Sequence, residues 1–201
     1  MTTHADAPSV VRAAEKTLSF ARQGLTDYLV RKERTQAGLH NAIIHGRSVT
    51  FVLQNLKNLH PDFEKWYEIV ASRLRADPKA RWFVELRNRI EKQGQIGDSH
   101  SSFKMYNFDS SKINTMNRDA PSGTVSMFFG DSMGRSGWEV LLPDGSLTEV
   151  FFELPLEIAT FQLSMAEAPE GFSFEKDLPD WLDQLEAIVQ EARSKFGGAS
   201  N

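Results

Sequence analysis

The chain has 201 residues, enough for one ordinary domain or for a small domain with an appended subdomain. With 40% hydrophobic and 25% charged residues it is not a chain disordered throughout, and no apolar run approaches the ~20 residues that cross a bilayer. There is no cysteine, so disulfides, thiolate nucleophiles and thiolate metal sites are excluded. That fits a reducing compartment. The segment Met1 to Val10 lacks the basic and apolar regions of a signal peptide, so a cytoplasmic location and no membrane partner are expected.

The net charge of −4 conceals an asymmetry: residues 1–94 hold 16 Lys/Arg against 10 Asp/Glu, and residues 95–201 hold 7 against 17. Two readings follow. The halves complement each other within the molecule, or the basic half is a nucleic-acid footprint.

In chain order, Ser9 is a candidate cap for a helix with Val11, Ala14, Leu18, Ala21, Leu25 and Tyr28 on one seam. After the charged junction Arg31 to Arg34, a second helix carries Leu39, Ile43, Gly46, Val49, Leu53 and Leu56, with Gly46 permitting a close helix approach. His60-Pro61 interrupts the pattern, and Phe63, Trp66, Tyr67, Val70 and Leu74 mark a third helix. Asp77-Pro78 starts a fourth, whose apolar face is Trp82, Phe83, Leu86 and Ile90 and whose stop is Gly94.

From Gln95 to Ser122 the periodicity gives way to a loop rich in Ser, Asp and Asn. Thr124–Phe129, Trp138–Leu142 and Leu147–Phe152 then read as strands, the last two joined by the turn Pro143-Asp144-Gly145-Ser146. Leu156 to Met165 suits either helix or strand. Asp177 to Phe196 is a final helix, with Leu178, Trp181, Leu182, Leu185, Val189 and Ala192 inward. The expected fold class is α+β: an N-terminal antiparallel four-helix bundle (1–94), a flexible loop or linker (95–122), and a small antiparallel β subdomain with a C-terminal helix (123–201).

The chemistry is mostly eliminated. Gly130, Gly134 and Gly137 sit between strands, not between a strand and a helix, so no phosphate loop is expected. His40 and His45 are five apart, about 140° around a helix, and diverge where a metal pair needs convergence. Asp131, Asp144 and Glu153 are acidic without being placed together for acid and base work, and no glycine-flanked serine elbow exists. No cofactor and no metal are expected.

The remaining set is Arg87-Asn88-x-x-x-Lys92. On a helix Asn88 and Lys92 lie one turn apart, with Arg87 displaced by about 100°. Arginine there could grip a phosphate, asparagine orient a ribose hydroxyl, and lysine stabilise developing charge. Equally, Arg87 can pair with Glu91, four residues on, while Arg89 and Lys92 face water near the helix end.

An Arg-Asn pair followed by a basic residue late in a helical bundle resembles the HEPN superfamily, and the resemblance extends over about residues 36–94. Arg87 and Asn88 carry the HEPN likeness, while Gly46-Arg-Ser-Val-Thr-Phe-Val-Leu-Gln54, Phe63-Glu-Lys-Trp-Tyr67 and Phe83-Val-Glu-Leu-Arg-Asn88 resemble a group of uncharacterised bacterial proteins. The HEPN likeness implies a homodimer that brings two motifs together across a cleft, and in active members metal-independent RNA cleavage by arginine and histidine. Lys92 stands where that histidine would be. A lysine of ordinary pKa is protonated at neutral pH and makes a poor general base.

The expectation is therefore a non-catalytic HEPN-like binding protein of a bacterial stress, defence or toxin–antitoxin setting, with RNA, a nucleotide or a protein as partner. One alternative is an endoribonuclease using Arg87, Asn88 and Lys92, with Arg89 and His100 as binding residues. Another is a scaffold whose acidic β subdomain holds a protein partner.

Overall fold

The computed structural model describes residues 6–30, 34–97, 100–105, 119–131, 135–152 and 159–198. It is a mixed α+β protein with helices α1 (Ala7–Val30), α2 (Thr35–Gln54), α3 (Phe63–Ala76), α4 (Pro78–Gln93) and α5 (Phe174–Phe196). Between α4 and α5 lie strands β1 (His100–Met105), β2 (Thr124–Phe128), β3 (Ser136–Leu141), β4 (Leu147–Phe152) and β5 (Ala159–Ser164). Two compact units result: a helical one from Met1–Asp98 with Ala166–Asn201, and a β one from Ser99–Met165.

The helical unit is five-helical, not the four-helix bundle expected of residues 1–94. α5 packs on α1, α2 and α4 and belongs with them, although the sequence places it directly after the β segment. Its apolar stripe is the reason. Leu178, Trp181, Leu182, Leu185, Ile188 and Val189 recur at helical spacing and are all buried. They meet the seams read from the sequence: Val11, Ala14 and Ala21 on α1, Leu39, Ile43 and Val49 on α2, Phe83 and Leu86 on α4 are buried too.

α1 and α2 run antiparallel and nearly touch. Gly24 faces Ala42 and Gly38 faces Tyr28, so closely that a Cβ at Gly24 would stand 2.5 Å from Ala42 N, and one at Gly38 2.4 Å from Tyr28 N. Gly46, the glycine singled out for close approach, serves a different neighbour: a Cβ there would lie 2.5 Å from Cζ3 of Trp181 on α5.

Helix ends follow local chemistry. Asp6, not Ser9, caps α1: its carboxylate accepts the Ser9 N–H at 2.8 Å, while the Ser9 hydroxyl accepts the Asp6 N–H at 3.0 Å. Asp77 caps α4 by accepting from Lys79 N at 2.8 Å and Ala80 N at 3.3 Å, and Gly94 ends it at φ 74°. α5 begins three residues before the expected Asp177, because the buried Asp177 carboxylate reaches back to accept the Ser173 N–H at 2.8 Å.

The charge asymmetry is used inside this unit. Arg22 of α1 reaches Asp183 at 2.5 Å and Glu186 at 2.6 Å, Arg73 of α3 reaches Glu191 at 3.1 Å, and Lys79 of α4 reaches Asp177 at 2.6 Å. Each joins a base of the N-terminal half to an acid of α5.

Among the described residues, the β unit holds two antiparallel sheets. β2–β3–β4 form one, and β1 with β5 the other, in a register from His100 opposite Ser164 to Met105 opposite Ala159. β1 lies inside the stretch expected to be loop, and β5 resolves the ambiguous segment as strand. The start of β1, His100-Ser101-Ser102, has no strand pattern, whereas β5 alternates apolar and polar residues from Ala159 to Ser164, and each is completed by a partner some 60 positions away. The expected turn between β3 and β4 is present: Leu142 N–H donates to Ser146 O at 2.8 Å, Gly145 sits at φ 82°, and the Asp144 carboxylate accepts from Ser146 N–H. Trp138 of β3 is buried against Phe152, ring centroids 4.4 Å apart.

Candidate functional site

Arg87, Asn88, Arg89 and Lys92 all lie on α4. Asp77 and Pro78 start this helix, and its Trp82, Phe83, Leu86 and Ile90 face is buried, which turns Arg87 and its neighbours toward the margin of the core. The Arg87 guanidinium is committed within its own helix. It pairs with Glu91 Oε1 at 2.6 Å and donates to Asn88 Oδ1 at 3.2 Å, and its Nε is buried without a partner. Such an i, i+4 pair at a half-exposed surface contributes about 0.3–0.5 kcal/mol.

Arg89 points elsewhere, as a 200° separation from Arg87 requires. It pairs with Glu167 at 2.5 Å and lies over the Trp82 ring at 5.0 Å. Lys92 is exposed in the last turn. His100 belongs to β1 in the other unit, and its side chain lies outside the described residues. The structure thus joins Arg87 to Asn88, sends Arg89 away, and leaves Lys92 at the surface.

The other groups weighed in the sequence are not brought together: His40 Nε2 is buried without a hydrogen-bond partner. Burial lowers the His40 pKa, and His45 packs on the Phe20 ring at 5.5 Å. Asp131 is tied to Arg135 at 2.6 Å, and Glu153 lies outside the described residues.

A more open feature lies beside Arg87. A pocket of about 440 Å³ is walled by α2, α3, α4 and α5. Its apolar surface comes from Ala71, Leu74, Val84, Trp181 and Leu185. Ala71 of α3 and Ala80 of α4 bring only methyl groups to the lining, and its Trp181 ring is stacked on Phe83, centroids 4.5 Å apart. Thr50, Tyr67 and Glu85 add polar groups to the lining.

Arg47 is the distinctive member of this lining. Its guanidinium donates to the Thr50 hydroxyl and stacks over the Phe51 ring at 4.0 Å, with Arg87 on the same ring at 5.4 Å. Arg87 has Glu91; Arg47 has no carboxylate partner among the described residues. Burial lowers the Arg47 pKa from its ordinary value, Tyr67 opposes that shift, and the like charge of Arg87 adds to it. The group still carries its charge at neutral pH, because a guanidinium is too strong a base to be deprotonated in a protein. Arg75 and Arg81 also border the pocket, Arg75 being paired with Glu68 at 3.0 Å.

No residue of this pocket was assigned a role from the sequence. Its members are scattered from position 47 to 185 over four helices, so no local spacing announces them. The one available signal is Arg47 itself, a cation set between the buried positions Gly46 and Val49 on the apolar side of α2.

A five-helix unit with a half-open apolar pocket, in one chain with an antiparallel β unit, defines an α+β protein in which no described helix is long and apolar enough to cross a membrane. The chain belongs to the bacteriophage lambda protein ea47 family, whose model matches residues 15–129, more than half of its length. No curated protein and no solved structure matches the chain.

The family match overturns the HEPN resemblance and so takes away the ground for the RNA-binding, defence, toxin–antitoxin and dimer expectations drawn from it, on which the match itself does not bear. The physical reason is visible in α4. An Arg-Asn pair followed by a lysine arises from an ordinary intrahelical ion pair and a cation near a helix end, a pattern too common on amphipathic helices to mark a family.

Proposed function

We propose that this chain is a non-catalytic binding protein whose helical unit takes up a ligand in the pocket between α2, α3, α4 and α5. The observation that carries the reading is the pocket itself. Its volume, about 440 Å³, falls within the range of small-ligand sites, and its walls are helices whose inner faces are buried in a common core. The absence of catalysis is supported by the α4 cluster: a general base is missing from Arg87, Asn88 and Lys92, and Arg87 is already bound to Glu91.

The test is a fragment screen by ligand-observed NMR, using neutral, cationic and anionic compounds, on wild type and Ala71→Leu. Leucine at 71 fills the space that alanine leaves. Hits on the wild type that Ala71→Leu removes are expected. An absence of hits of any charge, or hits indifferent to Ala71→Leu, would overturn the site. Total RNA incubated with the protein in EDTA should stay intact. Cleavage abolished by Arg87→Ala would defeat the non-catalytic reading.

A further inference from the structure

Resting on the pocket reading above, we infer that the ligand is a small organic monocarboxylate with an apolar body, its carboxylate held by Arg47 and its body seated against Trp181, Leu185, Leu74 and Val84. The reasoning begins with charge. A half-buried guanidinium without a carboxylate partner among the described residues has lost part of its hydration and has not been repaid by an ion pair. An anion arriving in the pocket would supply that pair, and Arg presents a planar fork that fits a carboxylate in two parallel bonds. A neutral acceptor gains only a hydrogen bond from it, without the ion pair, and a cation is repelled.

The charge of the ligand is bounded from the other side. Glu85 also lines the pocket, and a dianionic phosphate would be repelled by it. Arg75 at the rim is already occupied by Glu68, which leaves Arg47 and the exposed Arg81 against one carboxylate. That balance suits a single negative charge.

The body of the ligand follows from the walls. Besides Arg47 and the polar groups of Thr50, Tyr67, Glu85, Arg75 and Arg81, the lining is made of Ala71, Leu74, Ala80, Val84, Leu185 and the Trp181 ring, surfaces that reward apolar area. The Arg47 position is itself prepared. Stacking on Phe51 and the bond to Thr50 hold the guanidinium in place, so little of its rotamer freedom remains to be lost on binding.

The experiment uses 2-naphthoate and its uncharged counterpart 2-naphthamide, titrated calorimetrically into the full-length wild type, Arg47→Met and Ala71→Leu, with folding checked by circular dichroism. The wild type should bind naphthoate at least tenfold more tightly than naphthamide. Arg47→Met should abolish that preference while leaving naphthamide binding within about twofold, since methionine keeps much of the apolar stem. Ala71→Leu should weaken both compounds. Arg47→Lys, which keeps charge and loses the fork, should retain part of the preference and supplies the comparison if Arg47→Met fails to fold.

Equal wild-type affinity for the two compounds, or a preference that survives Arg47→Met, overturns the carboxylate assignment and leaves the pocket standing. Failure of both compounds to bind, or binding that Ala71→Leu leaves unchanged, overturns the assignment together with the pocket reading.

Discussion

Tyr28 donates its hydroxyl proton to Glu175 Oε1 at 2.8 Å, joining α1 to the first turn of α5, and it is buried. Burial, reinforced by the negative charge of Glu175, raises its pKa well above the ordinary phenol value. Above pH ~10 the unfolded chain releases the Tyr28 proton while the folded chain keeps it, so the folded state binds more protons and stability falls as pH rises. Lys79 acts in the same direction. Its bond to Asp177 raises its pKa, so that contribution is full below the unfolded value and is lost as pH climbs through the folded one. Tyr28→Phe should lower stability at pH 7 by about 1 kcal/mol and make the decline above pH 10 shallower than in wild type. Urea midpoints at pH 7, 9 and 11 would show it; parallel curves for the two proteins would refute the assignment. The pair was invisible in the sequence, where Tyr28 read only as one more apolar position on the α1 seam.

Among the elements, the α1–α2 crossing is the tightest constraint. Gly24 and Gly38 abut backbone atoms of the opposite helix, and backbone cannot swing aside as a flexible side chain can. Gly24→Ala or Gly38→Ala should therefore cost at least about 1–3 kcal/mol by forcing the helices apart, although alanine is the better helix former. Chemical denaturation would measure it, and an unchanged or raised midpoint would show that the helices separate freely. Helix faces were legible because a 3.6-residue period repeats over about four to seven turns; the seams of α1, α2, α4 and α5 are the buried positions. The glycine pair was not, since a crossing point depends on which helix lies opposite. The pocket was illegible for the same reason: Arg47, Tyr67, Ala71 and Trp181 meet only once four helices are assembled. β1 shows the limit most sharply: its His100-Ser101-Ser102 start carries no strand pattern and pairs with β5, whose Ala159 to Ser164 does alternate apolar and polar residues.

At the scale of the whole molecule, the helical unit is built from two separated stretches of chain. Residues 1–98 alone lack the α5 side chains Trp181, Leu182, Leu185 and Ile188, which are buried in the intact unit, and would expose the complementary faces of α1, α2 and α4. A fragment ending at residue 98 should keep helical circular dichroism but lose cooperative thermal unfolding, while the full chain unfolds with a sharp transition. A cooperative fragment would show that the first four helices suffice. The acid–base division between the chain's halves has the same meaning: the acids of α5 meet Arg22, Arg73 and Lys79, so much of the apparent basic footprint of the first half is answered within the unit.

During synthesis this arrangement sets a clock. The ribosome must add the whole Ser99–Met165 segment after α4 before α5 exists, roughly several seconds at ~5–20 residues per second. Throughout that interval the oily faces of four helices have been made without the one that covers them. A nascent chain whose α5 has not yet emerged would expose that apolar surface, and the speed of translation through the β-coding stretch would set how long it does so.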